Sequence, residues 1–246
     1  MEIVGIQKEN SFFRLAYLSM VNGEIVIKCL EKEAKAPHFK KGLFAVTGIE
    51  GQDLLIRHLE TPLKSIKALH KTLPFQLESL IPYSLDDVAI KPIYEIKEKK
   101  TEALFFTVPK KALEHHITQF HGVGIDPEWI SAVPMALFRF AKFVSPNEKN
   151  LVIFHIGMEK IQLVSIQNGK TLSHITLHMG ARDLSEGDSA TVVSKFKREV
   201  DRAFCFLANK EKESGNRKVL FCGERTKEVE NLLKDEKSLM TPIGIE

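Results

Sequence analysis

The chain has 246 residues, of which 43% are hydrophobic and 27% are charged, and its formal net charge at pH 7 is +3. These values are close to the averages for globular proteins and exclude a disordered or fibrous chain. The length allows one large domain or two small ones, and the small net charge gives no reason to expect nucleic acid as a partner.

No apolar stretch approaches the roughly 18 residues that are needed to cross a bilayer, and the N-terminus MEIVGI lacks the basic start and apolar core of a signal peptide. The sequence therefore predicts a cytoplasmic protein. The cysteines Cys29, Cys205 and Cys222 lie far apart, which argues against both a disulfide framework and a zinc site.

The first 62 residues predict an antiparallel meander followed by a further pair of strands. Runs of strand-forming residues place these strands at residues 2–6, 12–19, 23–30, 43–47 and 54–59. Asn22-Gly23 marks the second reversal of the meander, because both residue types tolerate the positive φ angles of a tight hairpin turn.

From residue 63 the apolar residues recur at spacings of three and four, which predicts a helix up to about residue 81. Pro74 lies inside this helix, and we expect a break near Leu73 because an interior proline removes a hydrogen bond and clashes with the preceding turn. The next predicted elements are strands at 88–96 and 101–108, a helix at 109–121 and a short strand at 129–133.

After residue 133 the pattern predicts a second α/β region. Residues 134–144 (PMALFRFAKFV) form a strongly apolar segment that predicts a helix buried on most sides; its Phe138, Phe140 and Phe143 suit core packing better than a partner-docking face. Strands are expected at 151–154, 161–167, 172–177 and 218–222, and helices at 192–208 and 226–233. Asn168-Gly169 predicts a tight hairpin turn.

Residues 150–184 have the layout of a hairpin that holds a phosphate. In sugar kinases and actin-like ATPases the turn of such a hairpin carries an acidic residue and small residues, so that backbone amides approach the phosphate and the acid holds magnesium or a water. Here His155 and Met158 stand at those places, and Gly157 is kept. The segment therefore favours a binding platform over an enzyme.

Two other groups of residues could carry chemistry. His115 and His116 could bind a metal, but adjacent residues on a helix point in different directions and cannot share one ion, so no metal is expected. Cys222 could act as a nucleophile beside Gly223, but the sequence places no histidine and acid to activate it, which predicts a buried strand cysteine.

The sequence at residues 73–88, LPFQLESLIPYSLDDV, is similar to a segment of PilM and of the cytoplasmic part of GspL, which are actin-like proteins of type IV pili and type II secretion. That family combines a Glu-rich helix with Tyr-Ile-Pro-Phe and then Leu-Asp-Glu-Val. Residues 108–127 resemble the next helix of the family, which ends at a glycine and a following proline, here Gly122 and Pro127.

The sequence has counterparts of the family's three nucleotide-binding turns, but several of the motif residues are replaced. In the first turn (residues 7–11) Gln7 replaces the acid and Glu9 a glycine, with Arg14 near the family's lysine. In the second turn (residues 155–159) His155 replaces the acid, while Gly157 and Glu159 remain. Gly180 and Asp183 fit the motif G-G-x-D-L, and in the third turn (residues 221–224) only Gly223 of S-G-G-G remains.

The resemblance implies an α/β fold of the actin-like, ribonuclease-H-like class, with mixed sheets flanked by helices. Residues 1–62 would form an N-terminal subdomain, 63–133 an inserted small α/β subdomain and 134–246 a C-terminal subdomain. Only one helix fits between Asp183 and Lys218, where PilM and actin-like ATPases insert a further subdomain, so the second lobe is reduced and lacks a lid over a nucleotide.

The implied function is that of a non-catalytic scaffold, without cofactor, that couples an inner-membrane platform to a secretion or pilus ATPase at the inner face of the inner membrane. The chain would associate with the membrane through a partner or through an anchor beyond residue 246. Formation of a homodimer is a further possibility. Ile81, Pro82 and Tyr83 are the candidate partner-binding residues. The alternatives are a divergent actin-like ATPase that binds nucleotide and a soluble structural protein unrelated to secretion.

Overall fold

A computed structural model describes residues 2–9, 12–34, 42–186, 189–210, 217–233 and 240–242. The chain divides into two compact units, residues 1–132 and residues 133–246. The predicted first turn includes Asn10 and Ser11, which lie outside the described residues.

Within its described residues the N-terminal unit contains eight strands and two α-helices. In chain order they are β1 (Glu2–Glu9), β2 (Phe12–Val21), β3 (Glu24–Ala34), β4 (Phe44–Ile49), β5 (Leu55–Thr61), α1 (Ile66–Glu78), β6 (Val88–Ile96), β7 (Thr101–Pro109), α2 (Lys110–His121) and β8 (Trp129–Ala132). The predicted meander and the predicted strand at 88–96 are confirmed.

The main sheet of the N-terminal unit has the strand order β3-β2-β1-β4-β8, in which β1, β4 and β8 run parallel and β2 is antiparallel to β1 and β3. Burial alternates along β1 and β4. Val4 and Ile6 point into a core that also holds Phe120 of α2, whereas Ile3 and Gly5 point to the other face and are only half-buried. Only one face of this sheet is therefore packed against a core.

The second sheet of this unit is antiparallel, with the order β5-β7-β6. The division of the chain at residues 62 and 133 stays a prediction, but the strand pairing bears on it. β5 lies before residue 63 and pairs with β7, whereas β8 lies before residue 134 and pairs with β4. Hydrogen bonding thus groups residues 55–109 around the small sheet, because a strand belongs to the sheet with which it pairs.

The predicted break at Pro74 is wrong, because α1 continues through it from Ile66 to Glu78. Leu69, Leu73 and Leu77 recur every fourth residue and are buried against the small sheet. Burial of a leucine side chain contributes about 2 kcal/mol, so this stripe together offsets the ~3 kcal/mol that an interior proline costs.

Within its described residues the C-terminal unit contains four α-helices and five strands. In chain order they are α3 (Val133–Val144), β9 (Leu151–Ile156), β10 (Ile161–Gln167), β11 (Lys170–Leu177), α4 (Ala181–Glu186), α5 (Ser189–Lys210), β12 (Arg217–Gly223), α6 (Thr226–Leu232) and β13 (Met240–Pro242). Asn168 and Gly169 have φ angles of 50° and 73°, so the predicted hairpin turn is confirmed.

The C-terminal sheet has the order β11-β10-β9-β12-β13 and is covered on both faces. Phe196 and Phe204 of α5 pack against Phe154 on one face. Leu137 and Ala141 of α3 pack on the other face against strand residues such as Ile153. Burial on both sides explains why the sequence of β9, LVIFHI, is a nearly continuous apolar run.

Helix α3 is not buried on most sides as its composition suggested. Its buried residues Pro134, Leu137 and Ala141 lie on one face, whereas Phe143 is 76% exposed and Phe140 is also exposed. Phe138 is half-buried against the sheet, with the Lys142 ammonium over its ring. The helix is amphipathic because one side meets β9 and β10 while the opposite side carries Arg139 and Lys142.

None of the helices within the described residues combines the length and the apolar character that a membrane span requires.

Candidate functional site

The first turn lies at the end of the β1–β2 hairpin, where Gln7 pairs with Arg14 and Glu9 with Phe12. The Arg14 Nε atom lies 3.1 Å from the Glu9 Oε1 atom, and the two side chains are 22% and 12% exposed. The guanidinium also lies over the Phe12 ring. An anion that approached Arg14 would therefore have to compete with a carboxylate of the chain itself.

Replacing Arg14 with methionine should lower the free energy of unfolding by about 2 kcal/mol, because the mostly buried Glu9 carboxylate would lose this cation. The double variant Arg14→Met/Glu9→Gln should recover most of the loss, since neither charge then remains. Urea unfolding of the single and double variants measures this. Strictly additive losses would show that the ion pair does not stabilise the turn.

The second turn is closed by hydrogen bonds within the C-terminal unit. The Gly157 amide donates to the Lys160 carbonyl at 2.8 Å. The Ala181 amide donates to the Gly157 carbonyl and the Arg182 amide to the Met158 carbonyl, both at 2.9 Å. These amides cannot bind a phosphate without first breaking a bond to the protein, and a buried amide left without an acceptor costs about 1–3 kcal/mol.

Gly180 is required by the close approach of this turn to α4. A Cβ atom on Gly180 would lie 2.3 Å from the Met158 carbonyl oxygen, which is closer than real Cβ contacts come. The Gly180 amide donates to the Asp183 carboxylate at 2.8 Å, so Asp183 caps the start of α4. Gly180 thus allows the close approach of the second turn to α4, and Asp183 stabilises the start of this helix.

Gly223 joins the third turn to the second. Its φ angle is 99°, and a Cβ atom on it would lie 2.2 Å from the Ile156 carbonyl oxygen, which accepts a hydrogen bond of 2.8 Å from the Glu224 amide. The structure therefore brings together three of the predicted site residues, Gly157, Gly180 and Gly223, around the end of β9. Gln7 and Glu9 belong to the N-terminal unit.

His155 lies in β9, at the position where the resemblance places an acid. Strand register puts Gln162 of β10 and Cys222 of β12 on either side of it. Burial raises the pKa of the Cys222 thiol to about 12. The three neighbouring residues Gln162, His155 and Cys222 thus provide neither a carboxylate that could bind a metal nor a thiolate at neutral pH.

Because burial raises the pKa of the Cys222 thiol, this side chain should stay protonated at pH 8. We therefore expect a disulfide reagent such as Ellman's reagent to modify Cys29 and Cys205, which are exposed, and to reach Cys222 only after denaturation. The Cys222→Ser variant is the control and should lose only the slow thiol. Rapid reaction of a third thiol in the folded wild-type protein would contradict the protonated state of the half-buried Cys222 thiol.

The two adjacent histidines point to different partners. His115 Nε2 lies 2.6 Å from Gln119 Nε2, whereas His116 Nε2 lies 2.9 Å from Thr47 Oγ1. Burial lowers the pKa of His116. Across the described residues, no three or more His, Cys, Asp or Glu side chains are grouped as a metal site requires.

The predicted partner-binding residues differ in exposure. Ile81 is 8% exposed and packs in the cluster formed by α1 and the small sheet, whereas Pro82 and Tyr83 are exposed. A partner could touch Pro82 and Tyr83, and Ile81 holds their loop in place. Phe75 of α1 is also exposed, because it lies off the stripe of buried leucines.

No protein-family model matches the chain, and no curated protein sequence matches it. Several solved structures, in contrast, are similar to the structure of the chain. The PilM–PilN type IV pilus biogenesis complex matches with a TM-score of 0.73 and 16% identity over 99% of this chain and 88% of that chain. The cytoplasmic domain of EpsL, an inner membrane component of the type II secretion system of Vibrio cholerae, matches with a TM-score of 0.58 and 11% identity over 99% and 90% of the two chains.

A Bacteroides thetaiotaomicron protein of unknown function with an actin-like ATPase fold matches with a TM-score of 0.54 and 9% identity over 98% of this chain and 90% of that chain. At these identities the likeness establishes the fold. Between Asp183 and Lys218 the described residues contain the end of α4 and the single long helix α5, as the sequence predicted. The chain therefore has the actin-like, ribonuclease-H-like α/β fold that the resemblance to PilM and the cytoplasmic part of GspL implied.

Proposed function

We propose that the chain is a non-catalytic scaffold of a type II secretion or type IV pilus machine. In this role it links an inner-membrane platform to the secretion or pilus ATPase at the cytoplasmic face of the inner membrane. Support comes from the shared fold with PilM, solved in complex with PilN, and with the cytoplasmic domain of an inner-membrane secretion component.

The observation that carries the non-catalytic part is the closure of the turns. Phosphoryl transfer needs a metal held by carboxylates and backbone donors aimed at the phosphate. In this chain Gln7 and His155 stand where the resemblance places the acids, and the amides of Gly157, Ala181 and Arg182 are bonded to the protein. The glycines that remain keep the backbone of the turns in place.

Calorimetric titration of the full chain with ATP and magnesium tests this part. We expect no saturable heat, and the matched titration with magnesium chloride alone gives the baseline. A magnesium-dependent signal at micromolar ATP would overturn the scaffold function and support the alternative, a divergent actin-like nucleotide-binding ATPase.

Affinity purification of the full-length protein from its own cells tests the partners. We expect inner-membrane platform proteins and the ATPase to co-purify, and Tyr83→Ala to lower the recovery of at least one of them. Phe206→Ala removes an exposed aromatic ring from the C-terminal unit and is the matched control. Absence of secretion or pilus proteins would favour a structural protein unrelated to secretion, and sedimentation of the purified chain decides whether it forms a homodimer.

A further inference from the structure

The dipeptide Asn-Gly occurs twice in the sequence, at Asn22-Gly23 and at Asn168-Gly169. Each copy forms the two-residue loop of a β-hairpin, the first between β2 and β3 and the second between β10 and β11. Both residues of each loop have positive φ angles, of 52° and 85° in the first loop and of 50° and 73° in the second. The two loops are therefore matched in sequence and in backbone conformation.

An asparagine that precedes a glycine can lose its side-chain amide without an enzyme. The glycine backbone nitrogen loses its proton to a base and attacks the side-chain carbonyl carbon, so that a new C–N bond forms. The bond from that carbon to the side-chain nitrogen breaks, and this nitrogen takes up a proton and leaves as ammonia. Water then opens the cyclic imide to aspartate or isoaspartate. Glycine favours the attack because it has no Cβ atom beside the nitrogen.

The second loop is held by hydrogen bonds to the segment that precedes β9. The Gly169 amide donates to the Lys149 carbonyl at 2.9 Å, and the Asn168 amide donates to the Asn150 side-chain oxygen at 2.7 Å. The nitrogen that would attack is that of Gly169, and its proton is already engaged. Movement of this nitrogen toward the Asn168 side chain would require these hydrogen bonds to break, which opposes the reaction.

The first loop is exposed and lacks such bonds. Asn22 and Gly23 are both exposed, and the Gly23 amide donates to no acceptor in the part of the chain that the structure describes. A Cβ atom on Gly23 would meet nothing within 4 Å, whereas one on Gly169 would meet the Lys142 ammonium at 3.9 Å. Base and water can therefore approach the Gly23 nitrogen.

We propose that Asn22 is a site of non-enzymatic deamidation in the folded chain, and that hydrogen bonds protect Asn168 from the same reaction. In the net reaction one water is consumed and one ammonia is released, and nothing is oxidised or reduced. The proposal does not depend on the scaffold function, since it follows from the difference in bonding between two matched loops.

Deamidation changes the tip of the β2–β3 hairpin in two ways. Either product adds a negative charge beside Met20 and Val21, which are 54% and 49% exposed. Isoaspartate also inserts a methylene group into the main chain, which no longer fits the tight turn that pairs Val21 with Glu24. The aspartate product keeps the turn, because aspartate tolerates a positive φ angle.

Peptide mapping of the full chain tests the proposal. The folded protein is incubated at mildly alkaline pH in water labelled with oxygen-18 and digested at acidic pH in ordinary water, so that the label marks only deamidation of the intact chain. We expect residue 22 to convert to aspartate and isoaspartate at least about tenfold faster than residue 168, because hydrogen bonds must first break at the second loop.

The same chain unfolded in guanidinium chloride is the matched control. There the two identical dipeptides should convert at similar rates, since neither loop is formed. Equal rates at the two positions in the folded chain, faster conversion at residue 168, or no conversion at residue 22 while the unfolded chain reacts, would overturn the proposal.

The variant Asn150→Ala tests the cause of the protection. It removes the acceptor of the Asn168 amide, so conversion at residue 168 should accelerate about threefold or more, and conversion at residue 22 should not change. Circular dichroism shows whether the variant is folded. An unchanged rate at residue 168 would overturn the protection by hydrogen bonds.

Discussion

Replacing Gly223 with alanine should lower the free energy of unfolding by about 3–5 kcal/mol, although it adds a single methyl group. Two effects combine at this position. The φ angle of 99° disfavours any side chain, and the new Cβ atom would lie 2.2 Å from the Ile156 carbonyl oxygen. The Glu224 amide that bonds to this oxygen would be displaced as well.

Two glycine controls separate the effects. Gly23 has a φ angle of 85° with nothing within 4 Å of the added Cβ, so Gly23→Ala should cost only the backbone strain, about 1–2 kcal/mol. Gly180 lies outside the left-handed region, and Gly180→Ala reports the collision with Met158 alone. Chemical unfolding followed by circular dichroism measures all three. An effect of Gly223→Ala no larger than that of Gly23→Ala would show that the approach to Ile156 does not constrain the fold.

The result also bears on why glycines stand in the turns that resemble nucleotide-binding turns. If these glycines served only to let a phosphate approach, their replacement by alanine would leave the stability of the ligand-free chain nearly unchanged. The structure instead places Gly157, Gly180 and Gly223 against the carbonyl groups of Lys160, Met158 and Ile156. A large loss of stability would therefore mean that these positions are kept by backbone packing, independently of any ligand.

The sequence predicted most elements of this fold because their periods are local properties. Strand β6 and the turn at Asn168 and Gly169 follow directly from alternation and turn chemistry. The continuity of α1 through Pro74 could not be predicted in this way, because it depends on leucine burial against a sheet whose position the local pattern does not give. Membership of β5 in the small sheet is likewise a matter of pairing across 40 or more residues.

The direction in which the side chains of β3 point could not be predicted for a related reason. Strict alternation along β3 would put Leu30 on the same side as Val26 and Lys28. The register shift between Tyr17 and Leu18 instead puts Leu30 on the side of Ile25 and Ile27. One extra residue in a strand reverses the faces of all residues that follow, and nothing in the sequence of β3 marks its position.

For the candidate site, the sequence supplied the positions and the structure supplied their contacts. The substitutions at Gln7 and His155 could be recognised from the resemblance alone. The pairing of Glu9 with Arg14 could not, because it joins two side chains of neighbouring strands and depends on their register. The bonds from α4 to the second turn depend on a close approach that only the folded backbone defines.

Replacing Phe196 with alanine should lower the free energy of unfolding by about 3–5 kcal/mol, because it leaves a cavity between α5 and the C-terminal sheet. Phe196 is fully buried with Phe154, Val200 and Val219. Within the described residues α5 is the only long helix in the interval where a lid subdomain would be inserted. The variant therefore also tests whether the stability of the C-terminal unit depends on the packing of α5.

Phe206→Ala is the matched control, since Phe206 belongs to the same helix but is 47% exposed, and we expect a loss below about 1 kcal/mol. Trp129 is the only tryptophan and lies in the N-terminal unit, so its fluorescence follows that unit. Amide hydrogen exchange of β9 and β10 follows the C-terminal unit. Phe196→Ala should accelerate this exchange strongly while Phe206→Ala leaves it nearly unchanged, and equal effects of the two variants would contradict the role of α5 as the cover of this sheet.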